Sequence, residues 1–262
     1  MYYLGVDVGS LSCDAVLIDG DGARKGWSVV PTGARNLEAI ERARREVLAE
    51  AGVEDSSVGA TIATGYGRDR VEGRLASVTE ITCHARGIQA LLPGTGVMVD
   101  IGGQDSKAIA LDDKGRVIEF AMNDKCAAGT GRFLEAMARA LEVDIAELGT
   151  MDESAQGDVA LSSMCTVFAE SEVVSLIADG TAVGEIVNGL HRAIASRTRG
   201  LVRRVAPQLA GQQVAMSGGV ARNPGVVREL GKVLGCDIRV PQEPDTVGAL
   251  GAALIARDRA AA

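Results

Sequence analysis

LGVDVGSLSCDAVLIDGDG (4–22) and VMVDIGGQDSKAIALDDKG (97–115) are two copies of one pattern. Asp7 aligns with Asp100, Gly9 with Gly102 and Asp19 with Asp112, all at a constant offset of 93. Each copy reads as an apolar strand, a tight Asp-x-Gly turn of small residues, a second apolar strand and a polar turn into a third. Two copies of one hairpin predict two similar lobes of an α/β protein. The boundary is expected near Leu92-Pro93-Gly94, where Pro and Gly break the pattern, giving a first lobe over 1–93 and a second over 94–262.

The rest of the chain suits that plan. At 262 residues it is long for a single core and ordinary for two lobes. Hydrophobic residues at 47% and charged residues at 24% exclude a disordered chain. Glycine fills 33 positions while Phe, Tyr and Trp together reach 3%, so much of the chemistry is expected from backbone in turns. A net charge of −8, from 27 basic and 35 acidic residues, with no basic cluster, argues against nucleic acid or an anionic membrane as partner. No apolar run approaches the ~20 residues of a membrane span. The chain opens directly on a strand-like segment, and its five cysteines are odd in number and scattered, which together predict a cytoplasmic protein without a disulfide framework.

Between the hairpins, Asn36 is read as the cap of a helix with Leu37, Ile40, Val47 and Leu48 on one face, ending at Gly52. Helical spacing recurs at Phe133, Leu134, Met137 and Leu141, and at Val173, Val174 and Ile177 before Gly180. A long helix is expected over 181–207, a buried strand at 214–216, and a helix opened by Asn223-Pro224 and stopped at Gly235. A final helix, 246–259, carries Val247, Leu250 and Leu254 inward and is expected to pack back on the first lobe.

A triphosphate needs many close N–H donors, and small-residue turns between strands supply them. Both hairpins offer such a turn: Gly9, Ser10 and Ser12 in the first, Gly102, Gly103 and Gln104 in the second. Asp7 and Asp100, each closing a strand, are placed to hold Mg²⁺ through waters, since Mg²⁺ takes few carboxylates and keeps most of its hydration. A third loop, MSGGVARNP (216–224), ends a buried strand in Ser217-Gly218-Gly219, where paired glycines let a flat base or ribose lie on the backbone. One Asp-x-Gly is a weak signal, because Asp and Gly favour turns anyway; two copies and a third loop are a strong one. No Walker A pattern and no G-x-G-x-x-G follow the first strand, so P-loop and dinucleotide folds are unsupported.

In this order the three loops resemble the phosphate-1, phosphate-2 and adenosine motifs of the actin, sugar-kinase and Hsp70 ATPase superfamily, and Gly248 and Gly251 match its closing helix. The resemblance implies two duplicated actin-like lobes with a nucleotide cleft between them.

Two cysteines stand outside that generic chemistry. NDKCAAGTGRFLE (123–135) places Cys126 before a helix in a Gly-rich entry, and SSMCTVFAESEV (162–173) does the same for Cys165. A thiolate at a helix N-terminus is stabilised by the dipole and free N–H groups, which suits metal ligation. A [4Fe–4S] cluster needs four thiolates, and the chain has no C-x-x-C run. Two copies related by a twofold axis, each giving two, complete the set, so the sequence predicts one cluster at a homodimer interface. Cys13, Cys83 and Cys236 read as small apolar residues, and His84 and His191 lack a ligand partner at helical spacing.

Together the two cysteine blocks resemble those of the ATP-dependent activators of 2-hydroxyacyl-CoA dehydratases, a family that includes the ATPase subunits of benzoyl-CoA reductase. The resemblance implies that Cys126 and Cys165 of both subunits hold one bridging [4Fe–4S] cluster, and that Asp7, Gly9, Ser10, Leu11, Ser12, Asp100, Gly102, Gly103, Gln104, Gly129, Gly218, Gly219, Asn223 and Gly248 frame Mg·ATP or its ADP product. Gln104 and Glu170 are the candidates for orienting the attacking water. Ser12-Cys13-Asp14 departs from the family pattern, where Ser/Thr and Lys are frequent. The implied activity is ATP-gated one-electron donation, from ferredoxin or flavodoxin through the cluster to an iron–sulfur dehydratase or reductase. The alternatives on the same fold are a small-molecule kinase, which needs a carboxylate base facing a substrate, and a non-redox nucleotide switch, which has no use for Cys126 and Cys165.

Overall fold

The computed structural model describes residues 1–157, 159–161 and 165–261. The first repeat forms β1 (Tyr2–Val8), β2 (Ser12–Ile18) and β3 (Arg24–Pro31), and the second forms β6 (Thr95–Ile101), β7 (Ser106–Leu111) and β8 (Val117–Asn123). Between them lie α1 (Asn36–Ala51), β4 (Val58–Thr64), the two-residue β5 (Ala76–Ser77) and α2 (Glu80–Leu91). After them come α3 (Gly131–Ala140), α4 (Thr166–Ala178), α5 (Val183–Val205), β9 (Gln213–Ser217), α6 (Pro224–Leu234), β10 (Ile238–Arg239) and α7 (Val247–Ala260).

Two five-stranded sheets result, ordered β3-β2-β1-β4-β5 and β10-β9-β6-β7-β8. In each the hairpin strands occupy one side and the later strands join next to the repeat's first strand. Two compact units divide the chain: Met1–Met98 with Ile109–Glu119 and Pro241–Ala262, and Val99–Ala108 with Phe120–Val240.

In the first unit β1 is buried on both faces. Leu4, Val6 and Val8 pack with Ala39, Ile40, Ala43 and Val47 of α1. Tyr3, with Val16 and Ile18 of β2 and Ile62 of β4, packs under Ala249, Ala252, Ala253 and Ala256 of α7. Alternation along each strand sorts the two sets, as the strand period of two requires. The α7 contact is unusually close. A Cβ on Gly5 would run into the Ala249 carbonyl, and one on Gly251 into the Cys83 carbonyl of α2. Small residues on both sides let the backbones approach.

The expected elements appear with three differences, the first being that Leu37, expected on the packed face of α1 with Ile40, Val47 and Leu48, is exposed. Arg35, not Asn36, precedes the first turn of α1 and no side chain caps it, while Gly52 closes the helix in the left-handed conformation at φ 63°. Val173 of α4 is buried as its spacing suggests, but Val174 and Ile177 are exposed. In the second unit Asn223 caps α6, its side chain accepting the Val226 N–H at 3.0 Å, and α5 runs as one 23-residue helix against α6. No helix among the described residues is long and apolar enough to cross a membrane.

Gly251→Val, which drives a branched side chain into the Cys83 carbonyl, is expected to destabilise the first unit by about 3 kcal/mol or more, toward the upper end of overpacking costs. Gly180→Ala, at a helix end with open space around it, is expected to cost about 1 kcal/mol, the αL penalty alone. Denaturant melts of the two variants check the difference, and equal midpoints would contradict the close-packed contact.

Candidate functional site

In the first hairpin the chain reverses between β1 and β2 through Gly9, Ser10, Leu11 and Ser12, all half-buried. The Gly9 N–H donates to the Ser12 carbonyl at 2.9 Å. Thr32, just past β3, ties the turn down: its hydroxyl donates to the Gly9 carbonyl at 2.9 Å and its N–H to the Leu11 carbonyl at 2.8 Å. Asp7 is buried next to the last residue of β1, and Gly248 in the first turn of α7 sits against its carboxylate, where a Cβ would collide with both Asp7 and the His84 ring.

The second hairpin repeats the turn. The Gly102 N–H donates to the Asp105 carbonyl at 3.0 Å, the counterpart of the Gly9 bond. The first turn of α3 holds it: the N–H groups of Gly131 and Arg132 donate to the carbonyls of Gly102 and Gly103, both at 2.9 Å, and the Thr130 hydroxyl donates to the Gly103 carbonyl. Gln104 is exposed at the tip of the turn. Asp100 is deeply buried. Lys107, itself 2% exposed, places its ammonium 3.1 Å from Asp100 Oδ2 and 2.7 Å from Asp105 Oδ2. The Ser217 hydroxyl donates to Asp100 Oδ1 at 2.7 Å, which joins the third loop to the second. Gly218 follows at φ 83°, where a Cβ would strike the Ile101 carbonyl; only glycine fits this left-handed close approach.

Asp7, Gly9, Ser10, Leu11, Ser12 and Gly248 thus gather in the first unit. Asp100, Gly102, Gly103, Gln104, Gly218 and Gly219 gather in the second, Gly219 opening a short 3₁₀ turn. Asn223 is engaged in capping α6, with its amide nitrogen buried and unpartnered. Gly129, at φ 84°, lines a separate concavity of about 660 Å³ in the second unit, along with Phe133, Arg192, Arg197 and Glu229. That volume lies in the range of small-ligand pockets. Glu170 is exposed on α4, and no hydrogen bond among the described residues links it to the turns.

Cys126 is half-buried in the loop entering α3, where the Asn123 amide donates to its carbonyl at 3.0 Å. Cys165 is exposed at the N-cap of α4; Ser162, Ser163 and Met164 before it lie outside the described residues. Beyond Cys165 the helix turns Val167 and Phe168 outward, 67% and 66% exposed, with Val174 and Ile177 further along. All five cysteines are unpaired. Burial pushes the Cys83 thiol up to about 12 and that of Cys13 higher still, so both are poor thiolates.

Lys107 and His191 carry more than sequence reasoning gave them. Lys107 sits in an apolar strand at the repeat offset from Asp14, and that register is the signal that marks it. His191, which has no ligand partner at helical spacing, is fully buried with its Nδ1 2.9 Å from Asp152 Oδ2, which also meets Arg228 at 2.6 Å. Burial holds the His191 pKa down and so favours the neutral ring.

Duplicated Asp-turn hairpins on two sheets, with a glycine loop bonded to the second of them, define an actin-like ATPase. The solved activator of 2-hydroxyisocaproyl-CoA dehydratase from Clostridium difficile with bound ADPNP is 40% identical, with a TM-score of 0.94 over 100% of this chain and 96% of that one. Component A of the (R)-2-hydroxyglutaryl-CoA dehydratase of Acidaminococcus fermentans is 41% identical, with a TM-score of 0.95 over the whole of both chains. The activator of lactoyl-CoA dehydratase from Anaerotignum propionicum is 46% identical over 260 residues, 99% of each chain. The chain belongs to the BadF/BadG/BcrA/BcrD ATPase family, whose model matches residues 4–256.

Lys107→Met removes the cation from two buried carboxylates and is expected to destabilise the protein by about 3–5 kcal/mol. Ser217→Ala removes one hydrogen bond to Asp100 and is expected to cost about 1–3 kcal/mol. Urea denaturation reads both; a Lys107→Met cost no larger than that of Ser217→Ala would show that the ammonium does not hold this turn.

Proposed function

We propose that this protein is an ATP-hydrolysing electron donor that activates a CoA-thioester dehydratase of the 2-hydroxyacyl type, with Cys126 and Cys165 as its half of a [4Fe–4S] site shared by two copies. One observation carries the reading: of the five thiols, Cys165 at the N-cap of α4 is exposed and Cys126 and Cys236 are half-buried, and of those two it is Cys126 that enters α3, the helix neighbouring α4. Two thiols per chain are half of what such a cluster takes. The outward Val167, Phe168, Val174 and Ile177 beside Cys165 suit burial against a second copy across a twofold axis. When bound, the cluster supplies one low-potential electron at a time.

The rest of the chain's work is nucleotide handling. The two turns offer N–H donors to phosphate oxygens, the Gly218-Gly219 loop a flat surface to ribose or base, and Asp7 and Asp100 oxygens to the waters of Mg²⁺. Acidic oxygens at both strand ends fit a hard cation, and Asp100 also accepts from Lys107 and Ser217. Gln104 at the exposed tip of the second turn is our choice for orienting the attacking water, and Glu170 the second candidate. A tenfold change in a one-electron equilibrium is about 59 mV or 1.4 kcal/mol, so a nucleotide-linked rearrangement worth a few kcal/mol moves the potential by roughly 100–200 mV. Ferredoxin or flavodoxin as electron source, and the cytoplasm as location, belong to the same proposal; five unpaired thiols suit a reducing compartment.

Anaerobic purification followed by iron analysis tests the assignment. Cys126→Ala and Cys165→Ala are each expected to lose the iron while binding Mg·ATP within about twofold of the parent, whereas Cys13→Ala and Cys83→Ala keep it. In iron-free protein, iodoacetamide is expected to label Cys126 and Cys165 and to spare Cys13 and Cys83. Full iron content in Cys126→Ala refutes the ligand assignment.

A further inference from the structure

Helix α5 carries five arginines and one carboxylate, Glu185 in its first turn, in a chain with a net charge of −8. Its local sign is opposite to that of the whole. The helix dipole accounts for Arg203 and Arg204, which lie in the last turn, but it does not reach back to Arg197 and Arg199. Nor do these charges find partners. Ion pairs hold Arg42, Arg44, Arg74, Arg86 and Arg228, and Arg192 on α5 is also engaged, whereas Arg197, Arg199, Arg203 and Arg204 form no ion pair or hydrogen bond among the described residues.

Helical spacing sorts the four into two rows. Arg199 and Arg203, four apart, are neighbours on one, and Arg197 and Arg204, seven apart, share the other. Like charges four apart repel on a helix, so the arrangement costs stability that an anionic partner from outside would return. Gly200 lies between the rows, exposed and with open space where a Cβ would stand. Toward the start of α5 this face opens into the concavity of about 660 Å³, whose lining includes Gly200, Ser196, Arg197 and Gly129. The Arg197 Cδ stands 3.2 Å from where a Cβ on Gly129 would be, three residues past Cys126. Glu229, the carboxylate in the wall, is 4% exposed and paired with Lys232 at 2.7 Å.

The apolar flank of α4 suits lasting burial, whereas the charged face of α5 suits a partner that arrives and leaves at each turnover. Electron-transfer encounters are small and weak, and opposite charge speeds them. Nucleic acid is a poorer occupant, because α5 offers no aromatic side chain on which a base could stack.

We propose that the arginine-bearing face of α5, beside the Cys126 loop, docks the acidic surface of the small redox protein that re-reduces the cluster. The inference rests on the reading of Cys126 and Cys165 given above and adds the place where the electron enters. One electron leaves the carrier and one reaches the oxidised cluster; no bond is made or broken.

Stopped-flow reduction of the oxidised, anaerobically purified holoprotein by a reduced [4Fe–4S] ferredoxin tests it. The parent's second-order rate constant is expected to fall at least about tenfold from low to high ionic strength, as steered association does. Arg199→Glu/Arg203→Glu is expected to be about tenfold slower than the parent at low salt and to respond little to added salt, while Arg199→Lys/Arg203→Lys keeps the parent's rate within about threefold. Dithionite, which needs no docking, is expected to reduce all three alike, which separates docking from damage to the cluster. Should Arg199→Glu/Arg203→Glu fail to fold, Arg197→Gln/Arg204→Gln makes the same comparison. A charge-reversed variant as fast as the parent at low salt overturns the inference and leaves the cluster standing, with lost dehydratase activation or lost retention of single-stranded RNA then naming a different occupant. An iron-free parent overturns the reading of the two cysteines itself.

Discussion

The approach of the α7 backbone to β1 is the constraint on which the first unit depends. Gly5 on the strand and the alanines and glycines of the helix leave no side chain between the two backbones. Three consequences follow from that one contact. The strand is buried on both faces, its end carboxylate is held against the first turn of the helix, and α2 is drawn in because Gly251 accepts the Cys83 carbonyl at backbone distance. The site in this unit is therefore a product of packing density rather than of any residue that touches a ligand.

The second unit reaches the same turn geometry by a different means. There the closing force is electrostatic and hydrogen-bonded: an ammonium between two carboxylates, a serine from β9, and the first N–H groups of α3 capping the turn's carbonyls. Placing an aspartate and a lysine at equivalent positions of two otherwise matched hairpins gives the halves different local charge. Equivalent backbones thus carry unequal chemistry, which a duplicated fold permits because the turn is fixed by the chain and not by those side chains.

Much of this was legible in the residues. The constant spacing of Asp7/Asp100 and Gly9/Gly102 gave both hairpins, because a turn that demands small residues leaves a mark at fixed positions. Asn223-Pro224 and Gly235 bracketed α6 because capping chemistry is local. What depended on tertiary partners did not show. Val174 and Ile177 have the spacing of a buried face, yet they are exposed among the described residues, and spacing alone does not say what an apolar stripe will meet. The pairing of His191 with Asp152, 39 positions away, and the burial of Lys107 between carboxylates are non-local in the same way. The roles proposed for Gln104 and Glu170 rest on the turn and helix that carry them rather than on any bond the fold makes.

The bare flank of α4 has a consequence for handling the molecule. A helix that shows Val167, Phe168, Val174 and Ile177 to water is tolerable only while something apolar lies on it. If the proposed second copy lies on that flank, dilution turns it into an adhesive strip, so that solubility in storage and fidelity of assembly depend on the same four side chains.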